Sequence, residues 1–195
     1  MRDVGQVLVI RMPTENPTEI CELLLGETDR LLSRVGTPNN NSDVRVFVDF
    51  DDTLFYRDGF GLLLEQGKIE EAFALPYTPM PHTKQFLEYL KNRKIGAIIV
   101  TKRESGNDIK KLLEQYKLDG LVEDVLCQKN VAMGDGNIAT ISKGQTICEF
   151  LRKLKEKPRG ILFIDDIVEN INSVVQWVSK EYRDIRLQTI LIPAF

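Results

Sequence analysis

Val46-Phe47-Val48-Asp49-Phe50-Asp51-Asp52-Thr53-Leu54 is an apolar β-type run that stops abruptly in three carboxylates. A run this short and continuous fits a strand buried on both faces, the kind found in parallel sheets covered by helices. In open α/β sheets ligands bind beyond the C-terminal ends of the strands, and that is where Asp49, Asp51 and Asp52 fall. So much like charge is unfavourable unless a cation or a shared proton relieves it. The cluster points to a hard metal ion, Mg2+ first among them. A solvated acidic turn is the competing explanation for these acids taken alone.

The rest of the chain supplies a setting for such a strand. Ile95 to Val100 is a second buried run, ending at Thr101, and Ile161 to Ile164 a third, closed by Asp165-Asp166. Ile185 to Ile192 reads as a last strand. Helical periodicity separates them at Thr83 to Arg93, Asp108 to Leu118, Gln145 to Glu156 and Ile171 to Lys180. This alternation argues for an α/β fold with a doubly wound, mainly parallel sheet. Right-handed crossovers then gather the C-terminal strand ends along one edge. Between Val125 and Ile141 the pattern changes, and Met133-Gly134-Asp135-Gly136-Asn137 between apolar stretches reads as a β-hairpin insertion.

Residues 1–43 hold an apolar run at Val7 to Ile10 and a helical stripe from Pro17 to Val35, followed by a turn-rich linker from Gly36 to Ser42. They read as a strand and helix extension packed on a main domain of residues 44–195. The 27 residues from Phe55 to Pro81 carry one short helix near Lys68 to Ala74 and leave room only for a small lid. Its aromatics, Phe55, Tyr56, Phe60, Phe73 and Tyr77, fit core packing better than ligand contact.

Composition removes several function classes. A net charge of −3 does not indicate a general nucleic-acid binding surface. No apolar run approaches the ~18 residues of a membrane-spanning helix, and Val7 to Ile10 is too short for a signal-peptide core. The 3 cysteines, Cys21, Cys127 and Cys148, are far apart and lack CxxC spacing. Reduced thiols in the cytosol are the expectation.

Asp49-x-Asp51-x-Thr53-Leu54 behind an apolar strand resembles motif I of the haloacid dehalogenase-like (HAD) phosphohydrolases. Thr101 at a strand end resembles motif II, and Lys143 in Ser142-Lys143-Gly144 resembles motif III. Asp165-Asp166 with Asn170 resembles motif IV. The resemblance covers about residues 44–192 and implies a Rossmann-like HAD core with a small or minimal cap. It implies that Asp49 is a nucleophile and Asp51 a general acid/base, with Thr101 and Lys143 holding the phosphoryl group. It further implies Mg2+ held by Asp49, the Asp51 backbone carbonyl and Asp166, with Asp165 and Asn170 in support.

The reaction so implied is hydrolysis of a phosphate monoester, on a small molecule or a macromolecule, through an aspartyl-phosphate. A binding or regulatory protein that keeps the fold without turnover is one alternative, and a phosphotransferase another. Asp52 has no assigned role. His82 is expected to be a capping or surface residue.

Overall fold

Apolar runs of β-branched residues become adjacent strands wherever a helix can cover each face. A computed structural model of the chain describes residues 7–11, 16–36, 43–132 and 138–192. Its main sheet has six strands, all parallel to their neighbours. They are β1 (Val7–Arg11), β2 (Val44–Val48), β5 (Gly96–Thr101), β6 (Asp124–Cys127), β9 (Gly160–Asp165) and β10 (Arg186–Leu191). Their spatial order is β1-β10-β9-β2-β5-β6.

The chain therefore winds outward from β2 through β5 to β6, then returns to the other side of β2 for β9 and β10. That reversal places a topological switch point between β2 and β9, where doubly wound sheets open a crevice for ligands. Registry aligns the strand ends, because Val48 pairs with Ile164 on one side and Ile99 on the other. The Asp49 amide extends the ladder by donating to the Ile164 carbonyl at 2.9 Å. Asp49, Asp165 and Thr101 thus leave three neighbouring strands at nearly the same level.

Period-two alternation sends β2 side chains to opposite layers. Val46 and Val48 join Leu162, Ile164 and Ile99 against helices α1 (Pro17–Val35), α4 (Thr83–Asn92) and α5 (Asn107–Gln115). Phe47, with Ile98, Val100 and Phe163, meets α6 (Lys143–Lys153) and α7 (Val168–Glu181). Both layers are fully buried at these positions.

The N-terminal segment is built into this arrangement. Strand β1 pairs with β10 as the sheet's edge, and Ile20, Leu24 and Leu31 of α1 belong to the buried core. Asn16 caps α1, and Gly36 closes it in the left-handed conformation, φ +72°. The linker residues 37–42 lie outside the described residues, as does the hairpin turn Met133 to Asn137. The hairpin's arms, β7 (Asn130–Ala132) and β8 (Ile138–Thr140), do pair antiparallel.

Two features differ from the sequence reading. Asp124–Cys127 is a sixth-strand edge of the main sheet, although only three apolar residues, Val125 to Cys127, mark it and none is fully buried. The segment after motif I holds two helices, α2 (Phe60–Glu65) and α3 (Ile69–Ala74), rather than one. They sit between β3 (Phe55–Tyr56) and β4 (Thr78–Pro79), which pair antiparallel. Helix α2 escapes a periodicity test because it buries no residue and exposes Leu62 and Leu64. No described helix is long and apolar enough to cross a membrane.

Candidate active site

The three acids after β2 do not stay together. The loop folds back at once, with the Leu54 and Phe55 amides donating to the Phe50 carbonyl at 3.1 and 2.9 Å. Asp52 takes the left-handed conformation, φ +57°, and its amide donates to the Phe55 carbonyl at 2.7 Å. Asp49 turns inward and is buried. Asp51 turns toward the loop after β5, and Asp52 remains half-buried at the turn. Asp51 and Asp52 still repel, since the Asp51 charge adds to burial in raising the Asp52 carboxyl, but the turn leaves both outside the group of acids gathered at Asp49.

The acids that do converge come from two strands. Carboxylate oxygens of Asp49, Asp165 and Asp166 lie within 4.8 Å of one another. Lys143 enters this group from the first turn of α6. Ser142 caps that helix in a reciprocal capping box with Gln145, which orients the first turn. Gly144 lets the turn approach α7, since a Cβ there would stand 2.4 Å from the Ser173 carbonyl oxygen. The Lys143 ammonium then donates to Asp49 Oδ1 and, at 2.7 Å, to Asp165 Oδ2. Lys129, another lysine nearby in sequence, is largely exposed and lies 3.5 Å from Glu149.

Asp165 is fully engaged. Its Oδ1 accepts from the Ile167 amide and from Asn170 Nδ2, each at 2.9 Å, while Oδ2 takes Lys143. Neither Asp165 nor Asp166 occupies the N-cap position of α7, which belongs to Ile167. Asp166 is different: its Oδ1 is buried and has no hydrogen-bond partner among the described residues. A buried carboxylate oxygen without a donor is costly.

Electrostatics follow from this burial. Desolvation pushes the Asp49 carboxyl up to about 7; Lys143 pulls against the rise, and Asp165 adds to it. Burial, then the Asp165 charge, raises Asp166 to about 6. For Lys143 burial acts to lower the pKa, but Asp49 and Asp165 outweigh it and hold the ammonium above its ordinary value. Once ionised, the three carboxylates exceed the Lys143 cation by two negative charges, a donor set suited to a hard divalent ion.

Thr101, fully buried at the end of β5, accepts the Arg103 amide on its hydroxyl oxygen at 3.2 Å. Asp51 receives Arg103 through two bonds, Nε to Oδ2 at 3.1 Å and Nη2 to Oδ1 at 2.7 Å. Tyr77 donates its hydroxyl to Asp51 Oδ1 at 2.9 Å. Neither partner was visible beforehand: Arg103 reads as a charge in a polar loop and Tyr77 as a packing aromatic. Arg103 follows Thr101 by two residues, and that proximity is the one available signal.

His82 occupies the N-cap position of α4, as its place before the helix suggests, but it is not a surface residue. It is buried, makes no side-chain cap bond, and places Nε2 3.1 Å from the Thr53 carbonyl oxygen. Desolvation pushes its pKa down to about 4, which keeps the ring neutral, and facing a carbonyl, which only accepts, Nε2 carries the hydrogen. It ties the loop after β2 to the start of α4.

A doubly wound parallel sheet with strand-end acids and a buried lysine at its switch point defines a Rossmann-like α/β protein with an acidic cleft. The chain belongs to the haloacid dehalogenase-like hydrolases, whose family model matches residues 10–173. That match begins within β1 and takes in α1, so it reaches beyond the four motifs. Among solved structures the chain is similar to the HAD domain of effector protein Lem4 from Legionella pneumophila. The TM-score is 0.55 at 15% identity, with 77% of this chain and 85% of that chain covered. It is also similar to the class C acid phosphatase from Bacillus anthracis, solved with tungstate bound. There the TM-score is 0.53 at 13% identity, with 93% and 80% covered. At these identities the likeness shows the fold alone. No curated protein sequence matches the chain.

Proposed function

We propose that the chain is a Mg2+-dependent phosphatase that hydrolyses a phosphate monoester through an aspartyl-phosphate on Asp49. The carrying observation is the convergence of Asp49, Asp165 and Asp166 around Lys143 at the sheet's switch point. The structural relative named an acid phosphatase is consistent with this reading.

Asp49 has one oxygen bound by Lys143, which leaves Oδ2 to attack phosphorus. The new bond joins that oxygen to phosphorus as the ester P–O bond breaks, and Asp51 protonates the departing oxygen. Asp51 then accepts a proton from the water that attacks the aspartyl-phosphate, releasing inorganic phosphate and restoring the Asp49 carboxylate. Thr101 and Lys143 would bind the phosphoryl oxygens, where preorganised donors act most strongly.

The residues fit a divalent cation, because Asp166 Oδ1 is buried with no hydrogen-bond partner among the described residues and the ionised acids exceed Lys143 by two charges. Asp49, Asp166 and the Asp51 backbone carbonyl would hold it, while Asp165, already saturated, anchors Lys143. Bound Mg2+ supplies charge neutralisation and orientation.

The test is turnover of a panel of phosphorylated metabolites, phosphopeptides and 4-nitrophenyl phosphate by wild type and Asp49→Asn, with and without EDTA. Hydrolysis abolished by both treatments is expected. Turnover that survives both overturns the mechanism. Mg2+ binding without turnover would instead make this a binding protein, and product analysis separates transfer to an acceptor from hydrolysis.

A further inference from the structure

Asp51 is unlike the other acids of the site, because its side chain is 40% exposed and stands on a loop. The terminal torsion of an aspartate is broad, so an unrestrained carboxylate would sample many directions. Proton transfer to a leaving oxygen needs a defined one, within ordinary hydrogen-bond reach. Three donors supply the restraint: Arg103 Nε, Arg103 Nη2 and the Tyr77 hydroxyl.

These donors are themselves held. The Arg103 guanidinium lies over Phe50 at 5.0 Å and over Tyr77 at 4.6 Å from the ring centroids. A planar guanidinium fork grips both oxygens of a carboxylate and fixes its plane, which a point charge cannot do. Tyr77 is tethered through its carbonyl, which accepts the Tyr116 hydroxyl of the loop after α5 at 2.9 Å.

Tyr77 also belongs to the lid. Arg57 lies over its ring at 4.3 Å and over Phe73 at 5.5 Å, and donates to the Phe73 carbonyl at 2.9 Å. Phe73 in turn meets Phe60 edge-on at 5.3 Å. A continuous stack of rings and guanidinium groups therefore runs from the two short lid helices to the Asp51 carboxylate.

We propose that Arg103 and Tyr77 are positioning residues: two donors occupy Asp51 Oδ1 and one occupies Oδ2, which leaves the second lone pair of Oδ2 to carry the proton delivered to the leaving-group oxygen, and Tyr77 makes the lid part of the catalytic apparatus. This rests on the reading of Asp51 as the acid/base. The lid's aromatics, expected mainly to pack, thus include one that touches the acid itself.

Leaving groups separate this role from a merely structural one. A nitrophenolate departs with little help, whereas a benzyl alkoxide must be protonated as it leaves. The experiment measures kcat/KM, which reports transfer to Asp49, for 4-nitrophenyl phosphate and benzyl phosphate. Arg103→Ala should lower the benzyl value by about 10- to 100-fold and the nitrophenyl value by no more than about 3-fold. Tyr77→Phe, which keeps the ring stack, should show the same split at about 3- to 10-fold for the benzyl ester. Arg103→Lys should stay near the alanine variant, because charge returns without the fork. In an Asp51→Asn background neither substitution should cost more than about 2-fold further, since both act through Asp51.

Equal losses on the two esters, or losses that add to Asp51→Asn, overturn the positioning role while leaving hydrolysis intact. Wild type that turns over neither these esters nor any member of the phosphorylated panel overturns the hydrolytic reading and this role with it.

Discussion

The Lys143 ammonium donates to Asp165 Oδ2 at 2.7 Å, and both side chains are withdrawn from solvent. Asp165 itself is fixed by the Ile167 amide and by Asn170, so the lysine is held from α7 as well as from its own helix. This makes Lys143 a pivot between two strand-end acids rather than a free phosphate hook. Its position is set before any substrate arrives.

Removing that pivot should damage both fold and chemistry. Lys143→Met leaves Asp49 and Asp165 buried without their cation, and breaking a buried pair from one side costs about 3–5 kcal/mol. Urea unfolding in EDTA at pH 7.5 should register that loss. The deficit should shrink at pH 5, where the stranded carboxyls can neutralise themselves by taking up protons. Turnover of a responsive ester should fall by about 10²- to 10³-fold even under conditions where the variant is folded. A variant as stable as wild type at pH 7.5 would contradict the pairing.

Metal binding should depend on pH in a defined direction. Asp49 sits at about 7 and Asp166 at about 6 without a cation, so both must give up protons to act as ligands. Mg2+ affinity should therefore tighten by about tenfold or more from pH 5.5 to 7.5, with proton release visible in calorimetry across buffers of different ionisation enthalpy. The apo fold carries the opposite slope. Acids raised above their unfolded pKa lose stability as pH rises toward the folded value. Mg2+ at 100 times its Kd should then return about 2.7 kcal/mol, seen as a rise in Tm. Asp166→Asn should abolish the rise.

His82 gives a second pH signature with the other sign. Its pKa is about 4 in the fold against 6.5 when exposed. Between those values the unfolded chain binds the extra proton, so the stabilisation is complete above pH 6.5 and is lost as pH falls toward 4. The amplitude is up to about 3 kcal/mol, from ~1.4 kcal/mol per pKa unit. His82→Gln keeps an N–H for the Thr53 carbonyl but cannot titrate. The stability gap between wild type and this variant should therefore move against wild type on acidification. A gap that does not change from pH 7 to pH 4 would show that the ring is not buried neutral.

Legibility in the sequence tracked how local each signal was. Asp49, Thr101 and Asp165 were readable because each ends a continuous buried strand, and parallel register brings such ends together. Lys143 was readable from a helix start after a change of pattern. The partners of Asp51 were not, since Tyr77 lies 26 and Arg103 52 residues away, each in a segment that looks ordinary. Strand β6 merged with the hairpin because an edge strand needs only one covered face. Helix α2 was lost because it buries no residue and exposes Leu62 and Leu64. The burial of His82 was missed for a related reason, as a single polar residue beside a proline carries no period that could announce it.

Asp52, unexplained by any motif, has a conformational role that substitution can isolate. Its φ of +57° lies in the region that L-residues enter at a cost, and its amide closes the turn onto the Phe55 carbonyl. Its charge also adds to the rise in the Asp166 pKa, which opposes metal binding. Glycine accepts the same backbone angle without strain, although it loses more freedom on folding by about 0.5–1 kcal/mol. Asp52→Gly should thus stay within about 1 kcal/mol of wild type and retain turnover within about 3-fold. Valine should cost at least about 1–2 kcal/mol, because a β-branched residue resists that angle, and should displace Asp49 and Asp51 from their partners. Turnover kept by glycine and lost with valine assigns the residue to the backbone of the turn. Loss with glycine as deep as that of Asp51→Asn would instead give its carboxylate a chemical part in the reaction.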